Sequence, residues 1–136
     1  FTTSHQHPFL IQTSGIDKSI SKNQELLECP VFYVKKISAE GDPNKITVGR
    51  NPACDIFIPD SRISSAHSYF TKESGKWQIV DAKSRNGTYA KNGRLEAFKP
   101  VSLISPTELK FSKRICLAFV DTATIFRYIV ELYNSN

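Results

Sequence analysis

No stretch of this chain has the roughly 18 consecutive apolar residues that a membrane-spanning helix requires. No charged, apolar and small-residue succession of a secretory signal opens it. A phosphate-cradling Gly-Lys-Ser/Thr loop is missing too, since "VGRNPAC" offers a single glycine. Cys29, Cys54 and Cys116 are far apart, and no Cys-x-x-Cys pair exists. That removes the usual zinc and redox signatures and predicts buried, reduced thiols. His5 and His7 stand close together without further ligands nearby, so they read as part of a solvated tail. The 18 lysines and arginines are dispersed rather than blocked together. A net charge of +5 therefore leaves a mild bias towards anions, without the clustered cations of a nucleic-acid binder. Catalytic arrangements are also lacking. His67 is the one histidine within the expected folded region, and Ser64, Ser65 and Asp81 around it match no nucleophile elbow. These absences predict no enzymatic activity and no cofactor or metal. They also predict neither nucleic acid nor membrane as partner, and an intracellular location.

What is present describes one ordinary domain. The 136 residues suit a single core, and 40% hydrophobic with 23% charged content suits a globular protein. Residues 1–30 are polar without a sustained period, which predicts a loosely ordered tail or an extended arm. From residue 31 a rhythm of short β-branched and aromatic runs begins: "VFYVKKI", "KITVGR", "DIFI", "HSYFTK", "KWQIVDA", "GTYA", "TELKF" and "RICLAFV". Turn chemistry separates them, as in "EGDPN", "ESG", "SRNG", "KNG" and "ISP". Leu109 and Phe111 alternate with Glu108 and Lys110, the pattern of a strand buried on one side. Many short strands at close spacing predict an all-β antiparallel sandwich or barrel over residues 31–120. Residues 121–136 change period. Ile125, Phe126, Ile129, Val130 and Tyr133 form a helical stripe, with Asp121 or Thr122 as cap. This helix either packs on its own sheets or begins a linker to a further domain. The chain opens at Phe1 rather than Met, in keeping with a partner domain elsewhere in a longer protein.

Polar chemistry concentrates in the loops. Arg50 follows Gly49 at a strand end, Ser64 and Ser65 offer hydroxyls, and Asn86 offers an amide that both donates and accepts. One permanent cation with several short neutral donors is a fitting set for a phosphate. The planar fork of arginine matches phosphate oxygens better than an ammonium does. Each residue alone has a plainer explanation as a surface charge, a cap or a turn.

Taken in order, Gly49-Arg50, Ser64-x-x-His67 and Ser84-x-Asn86-Gly87-Thr88 on a many-stranded scaffold resemble the forkhead-associated (FHA) domain. "CDIFIPD" before the serine loop and "WQIVDAKSRNGT" after it extend the likeness over roughly residues 31–120. The resemblance implies a β-sandwich of about eleven strands that binds phosphothreonine peptides through loops at one end. It implies phosphate contacts from Arg50, Ser64 and Ser65, and peptide contacts from Arg62, Arg85 and Asn86. Gly49, His67, Gly87 and Thr88 would support the site, with Gly87 permitting the tight turn. Arg62 occupies the position that in some members reads the third residue after phosphothreonine, and a cation there suggests an acidic preference. The chain departs from the family at Ser65, where an arginine is common, and at Asn92, whose Asn-Gly lies one residue late. "SPTE" at 105–108 and Ser112 stand where the family has glycine-containing turns.

The function so implied is phosphothreonine-dependent protein binding in signalling. The partner is another protein or the chain's own arm, in which Thr2, Thr3 and Thr13 are candidate sites. The alternatives are a sensory domain of a larger kinase or cyclase, and a structural or dimerising module without phosphate binding.

Overall fold

The computed structural model describes residues 7–12, 31–37 and 41–134. Eleven strands and one helix occupy them. In chain order these are β1 (Phe9–Gln12), β2 (Val31–Tyr33), β3 (Ile46–Gly49), β4 (Ile56–Phe57), β5 (Ser68–Glu73) and β6 (Lys76–Asp81). They continue as β7 (Thr88–Ala90), β8 (Gly93–Arg94), β9 (Val101–Ser102), β10 (Thr107–Phe111), β11 (Ile115–Val120) and α1 (Thr122–Asn134). One sheet has the order β2-β1-β11-β10-β7-β8, the other β4-β3-β5-β6-β9. Every strand pairing is antiparallel except β3 with β4. The all-β sandwich of about eleven strands with a C-terminal helix is thus the architecture of the chain.

Alternation of apolar and polar residues builds the two layers. Leu109 and Phe111 of β10 and Ile115, Leu117 and Phe119 of β11 point inward from the larger sheet. Val48, Phe70 and Ile79 meet them from the smaller sheet, all fully buried. Phe70 and Phe119 stack across the layers at 5.8 Å, and Trp77 meets Phe119 edge-on at 6.4 Å. Burying each such side chain stabilises the fold by about 1.5–3 kcal/mol.

Three features depart from the sequence-based expectation. The sandwich begins earlier than residue 31. Phe9–Gln12, placed above in the N-terminal arm, forms the strand between β2 and β11, with Leu10 fully buried. The strands expected at 31–37 and 55–58 are shorter, ending at Tyr33 and confined to Ile56–Phe57. Between those runs, buried Asp55 accepts bonds from Lys36 Nζ (3.1 Å), Ile37 N (2.8 Å), Thr47 N (2.8 Å) and Thr47 Oγ1 (3.0 Å). Side chain, rather than a longer ladder, holds that corner. The cysteines differ as well: Cys54 and Cys116 are half-buried rather than buried, and Cys29 lies outside the described residues.

The helix starts where its capping residue predicts. Asp121 Oδ1 accepts the Thr124 N–H at 2.7 Å, so Asp121 is the cap. Its first turn is tied to the sandwich: the Asp121 N–H donates to Ser105 Oγ (2.7 Å), and Thr122 Oγ1 donates to the His7 carbonyl (3.4 Å). Phe126 and Val130 farther along are exposed. No helix among the described residues is long and apolar enough to cross a membrane.

Candidate functional site

Three loops carry the residues singled out from the sequence: β3–β4, β4–β5 and β6–β7. Short hydrogen bonds fasten them together. The Arg50 N–H donates to the Ser64 carbonyl (2.9 Å), and the Asn51 N–H donates to that of Ser65 (3.3 Å). The Arg85 N–H donates to Ser64 Oγ (2.9 Å), and Asn86 Nδ2 donates to the Arg62 carbonyl (2.8 Å). The structure therefore brings Arg50, Ser64, Ser65, Arg62, Arg85 and Asn86 into one contiguous surface.

Each ligand candidate retains hydrogen-bonding capacity after these internal bonds. Arg50 spends its Nε–H on the Ile63 carbonyl at 3.0 Å. A guanidinium has five N–H donors, so its Nη end stays available. Ser64 Oγ accepts from Arg85 N, which leaves its own hydroxyl proton to donate. Asn86 commits one amide proton to Arg62 and keeps its carbonyl oxygen and second proton. The Ser65 side chain is exposed, while its carbonyl is fixed by Asn51 N and by Cys54 Sγ at 3.4 Å. Burial pushes the Cys54 thiol pKa up, so this nearby group favours its neutral form.

Arg62 is differently placed. Its guanidinium grips Asp60 through Nε–Oδ1 (2.9 Å) and Nη2–Oδ2 (2.7 Å). The Arg62 N–H also donates to Asp60 Oδ1 at 2.9 Å. That fork holds the Asp60 carboxyl down at about 2. Its charge is already partly answered, which tempers the acidic preference suggested by the sequence. Asp60 was not singled out beforehand, although an Asp two residues before an Arg in a turn is a usable signal.

Beneath the surface, His67 links two of the loops. It is fully buried, with its ring tilted against Phe111 at 5.8 Å. The Ser64 N–H donates to Nδ1 at 3.1 Å, which makes Nδ1 the unprotonated nitrogen. Nε2 then carries the proton and donates to the Gly87 carbonyl at 2.9 Å. Both ring nitrogens are engaged with backbone groups, so the serine-to-histidine proton relay of a hydrolase is not formed here. The same Gly87 carbonyl accepts the Ser112 N–H at 2.8 Å. Gly87 itself sits at φ +89°, where a Cβ would meet Arg94 Nε at 2.9 Å. Ser112 is also left-handed at φ 63°, so the backbone geometry suited to glycine persists there with a serine in it.

Asp81, weighed from the sequence only as a catalytic partner, is the second support. Its buried carboxylate accepts from Thr88 Oγ1 (2.7 Å), Ser84 N (3.1 Å) and Ser84 Oγ. This shapes the turn that presents Arg85 and Asn86. Asn92 lies away from these loops and lines a separate cavity beside Leu95 and Val101.

The neutral state of His67 predicts a pH dependence. Burial lowers its pKa below the ordinary value of 6.5. The unfolded chain therefore takes up a proton near pH 6.5 that the native chain resists. The stability it supports is complete above that pH and falls as pH drops towards the lower native pKa. The urea midpoint should decline on going from pH 7 to 5, with the native imidazole titrating below 6.5 by NMR. A native His67 titrating at or above pH 6.5 contradicts the assignment.

Comparison with known proteins agrees with this geometry. Over 43 residues the chain is 44% identical to the oxoglutarate dehydrogenase inhibitor of Corynebacterium diphtheriae, covering 32% of this chain and 30% of the relative. Over 48 residues it is 44% identical to the glycogen accumulation regulator GarA of Mycolicibacterium smegmatis, covering 35% of this chain and 30% of that one. The match thus spans about a third of the length of these curated relatives. Among solved structures, the N-terminal FHA domain of S. cerevisiae Rad53p, in complex with a phosphothreonine peptide, superposes with a TM-score of 0.61. It is 25% identical, and the match covers 88% of this chain and 96% of that one. The FHA domain of an Arabidopsis thaliana hypothetical protein superposes with a TM-score of 0.63 at 21% identity, covering 85% and 86% of the two chains. The family model described as FHA domain matches residues 46–112, which hold every loop of the site. With its eleven-stranded sandwich and its Arg50, Ser64 and Asn86 loops, the chain belongs to the forkhead-associated domain family, a family of phosphothreonine-peptide readers.

Proposed function

We propose that this chain is a phosphothreonine-dependent binding module that regulates a partner by recognition, without catalysing a reaction. One observation carries the reading. Arg50 is tied to the β4–β5 loop through the Ile63 carbonyl, and Ser64 is tied to the β6–β7 loop through the Arg85 N–H, yet both keep donors for an anion. A phosphothreonine brings about −1.5 to −2 charge and three acceptor oxygens. Arg50 supplies the fork, Ser64 and Ser65 supply short neutral donors, and Asn86 fixes the peptide backbone with its remaining amide groups. Arg85 and Arg62 flank the peptide on the same surface. The likeness to the Rad53p domain that holds a phosphothreonine peptide supports this use of the loops. The two relatives, named as an inhibitor and a regulator, support a regulatory setting.

Titration of matched phosphorylated and unphosphorylated peptides tests the reading. A clear preference for the phosphothreonine form is expected, and equal affinity overturns it. The partner is a phosphorylated protein, or the arm that carries Thr2, Thr3 and Thr13 outside the described residues. An arm in the same chain would act at high effective concentration. Mass spectrometry of the native protein should then find phosphate on one of these threonines. An unmodified arm leaves the separate partner.

A further inference from the structure

Beside the three loops lies a groove of about 360 Å³ whose lining includes Arg62, Arg85, Asn86, Arg94, Lys113 and Arg114. The cations come from four places in the chain: the β4–β5 loop, the β6–β7 loop, β8 and the β10–β11 turn. No carboxylate lines it. Arg62 is answered by Asp60, but among the described residues no ion pair to a carboxylate holds Arg85, Arg94 or Lys113. Arg94 is not splayed into solvent at random. Its guanidinium lies over Gly87, next to Asn86, as the near contacts of a Cβ built there show.

Gathering like charges in one concavity is unfavourable unless something anionic relieves it. A plain solvated surface would scatter these residues or intersperse carboxylates. Here a chain of net charge +5 concentrates five cationic side chains at one groove. We propose that this groove is a second anion subsite that takes a second phosphoryl group on the same peptide; the inference rests on the phosphothreonine reading above. A phosphoryl group fits the lining better than a carboxylate does. It has more charge and three oxygens to distribute among several arginine forks. Arg85 connects the two sites, since its N–H donates to Ser64 Oγ while its side chain lines the groove. The second phosphate therefore lies close to the first along an extended peptide.

The test is a set of peptides with one fixed phosphothreonine and a second phosphoserine walked through about four residues on either side, which spans roughly 14 Å each way. Glutamate and unmodified serine at the same positions are the comparison arms. At one spacing, the doubly phosphorylated peptide should bind about tenfold tighter than the singly phosphorylated one. The double variant Arg94→Ala with Lys113→Ala should remove that gain and leave singly phosphorylated binding within about twofold. Both residues are exposed, so unchanged thermal unfolding is expected and should be confirmed. No gain at any spacing, a gain that survives the double variant, or an equal gain from glutamate each overturns the second phosphate subsite. In those three cases the singly phosphorylated peptide still binds and the primary reading stands. A chain that binds no singly phosphorylated peptide overturns both.

Discussion

Replacing Arg50 with alanine should weaken binding of a phosphothreonine peptide by about tenfold to a hundredfold. The expectation follows from what Arg50 does with its donors. Nε–H is spent on the Ile63 carbonyl at 3.0 Å, which stops the side chain from sweeping solvent. The Nη hydrogens would meet a phosphate with their entropy cost already largely met by that anchor. Each charge-assisted bond so formed is worth about 1.5–3 kcal/mol. Because Arg50 is solvent-exposed, water and salt reduce that value, and one to two bonds' worth is the sensible total. Stability should change little, since the fold loses one side-chain bond on its surface. Arg50→Lys keeps the charge but neither the planar fork nor the Nε anchor, so it should restore only part of the affinity. Calorimetric titration against phosphorylated and unphosphorylated peptides reads all of this. The affinity for the unphosphorylated form should be the same in wild type and variants. An Arg50→Ala protein that binds phosphopeptide as tightly as wild type would point to a module whose contacts lie elsewhere, such as the exposed Phe126 and Val130 of α1.

Much of this arrangement was legible before any coordinates because loops and strands obey different local rules. Strict alternation announced β10, and the capping chemistry of Asp121 or Thr122 announced the helix start, which the Asp121–Thr124 bond assigns to Asp121. The order of Arg50, Ser64, His67 and Asn86 carried the family resemblance even though each residue alone is unremarkable. What escaped was decided by tertiary contact. β1 is four residues in a polar surrounding, and only its place between β2 and β11 makes it a strand. β8 and β9 have two residues each, too few for any period to show. The pairing of Arg62 with Asp60 turns a free-looking cation into a half-neutralised one. The groove is a still clearer case. Arg85, Arg94 and Lys113 are separated in sequence, and only the packing of β7, β8 and the β10–β11 turn beside the β6–β7 loop collects them. Net charge alone predicted a bias towards anions and could not say where it would be focused.

Gly49→Ala should be more damaging than its size suggests, weakening phosphopeptide binding at least about a hundredfold and costing about 3 kcal/mol of stability. Gly49 ends β3, directly before Arg50. A Cβ at this position would fall on the backbone carbonyl oxygen of Ser65, with the Ser65 carbonyl carbon at 2.9 Å and Cys54 Sγ at 3.0 Å. A flexible side-chain end could swing away, but a backbone carbonyl held by the Asn51 N–H and the Cys54 thiol cannot do so alone. The whole β4–β5 loop would have to withdraw from β3. That motion separates the Ser64 carbonyl from Arg50 N and the Ile63 carbonyl from Arg50 Nε. The phosphate donors would then be displaced from one another even where each side chain survives. Losing two charge-assisted contacts together corresponds to at least about a hundredfold in affinity. Urea unfolding and peptide titration on the same sample separate the two effects. The companion variant Cys54→Ala removes only the softer of the neighbours that the new Cβ would meet. Combined with Gly49→Ala it should restore little, because the Ser65 carbonyl remains in the way. Full recovery in that double variant would show that the thiol, rather than the backbone of the serine loop, sets the requirement for glycine.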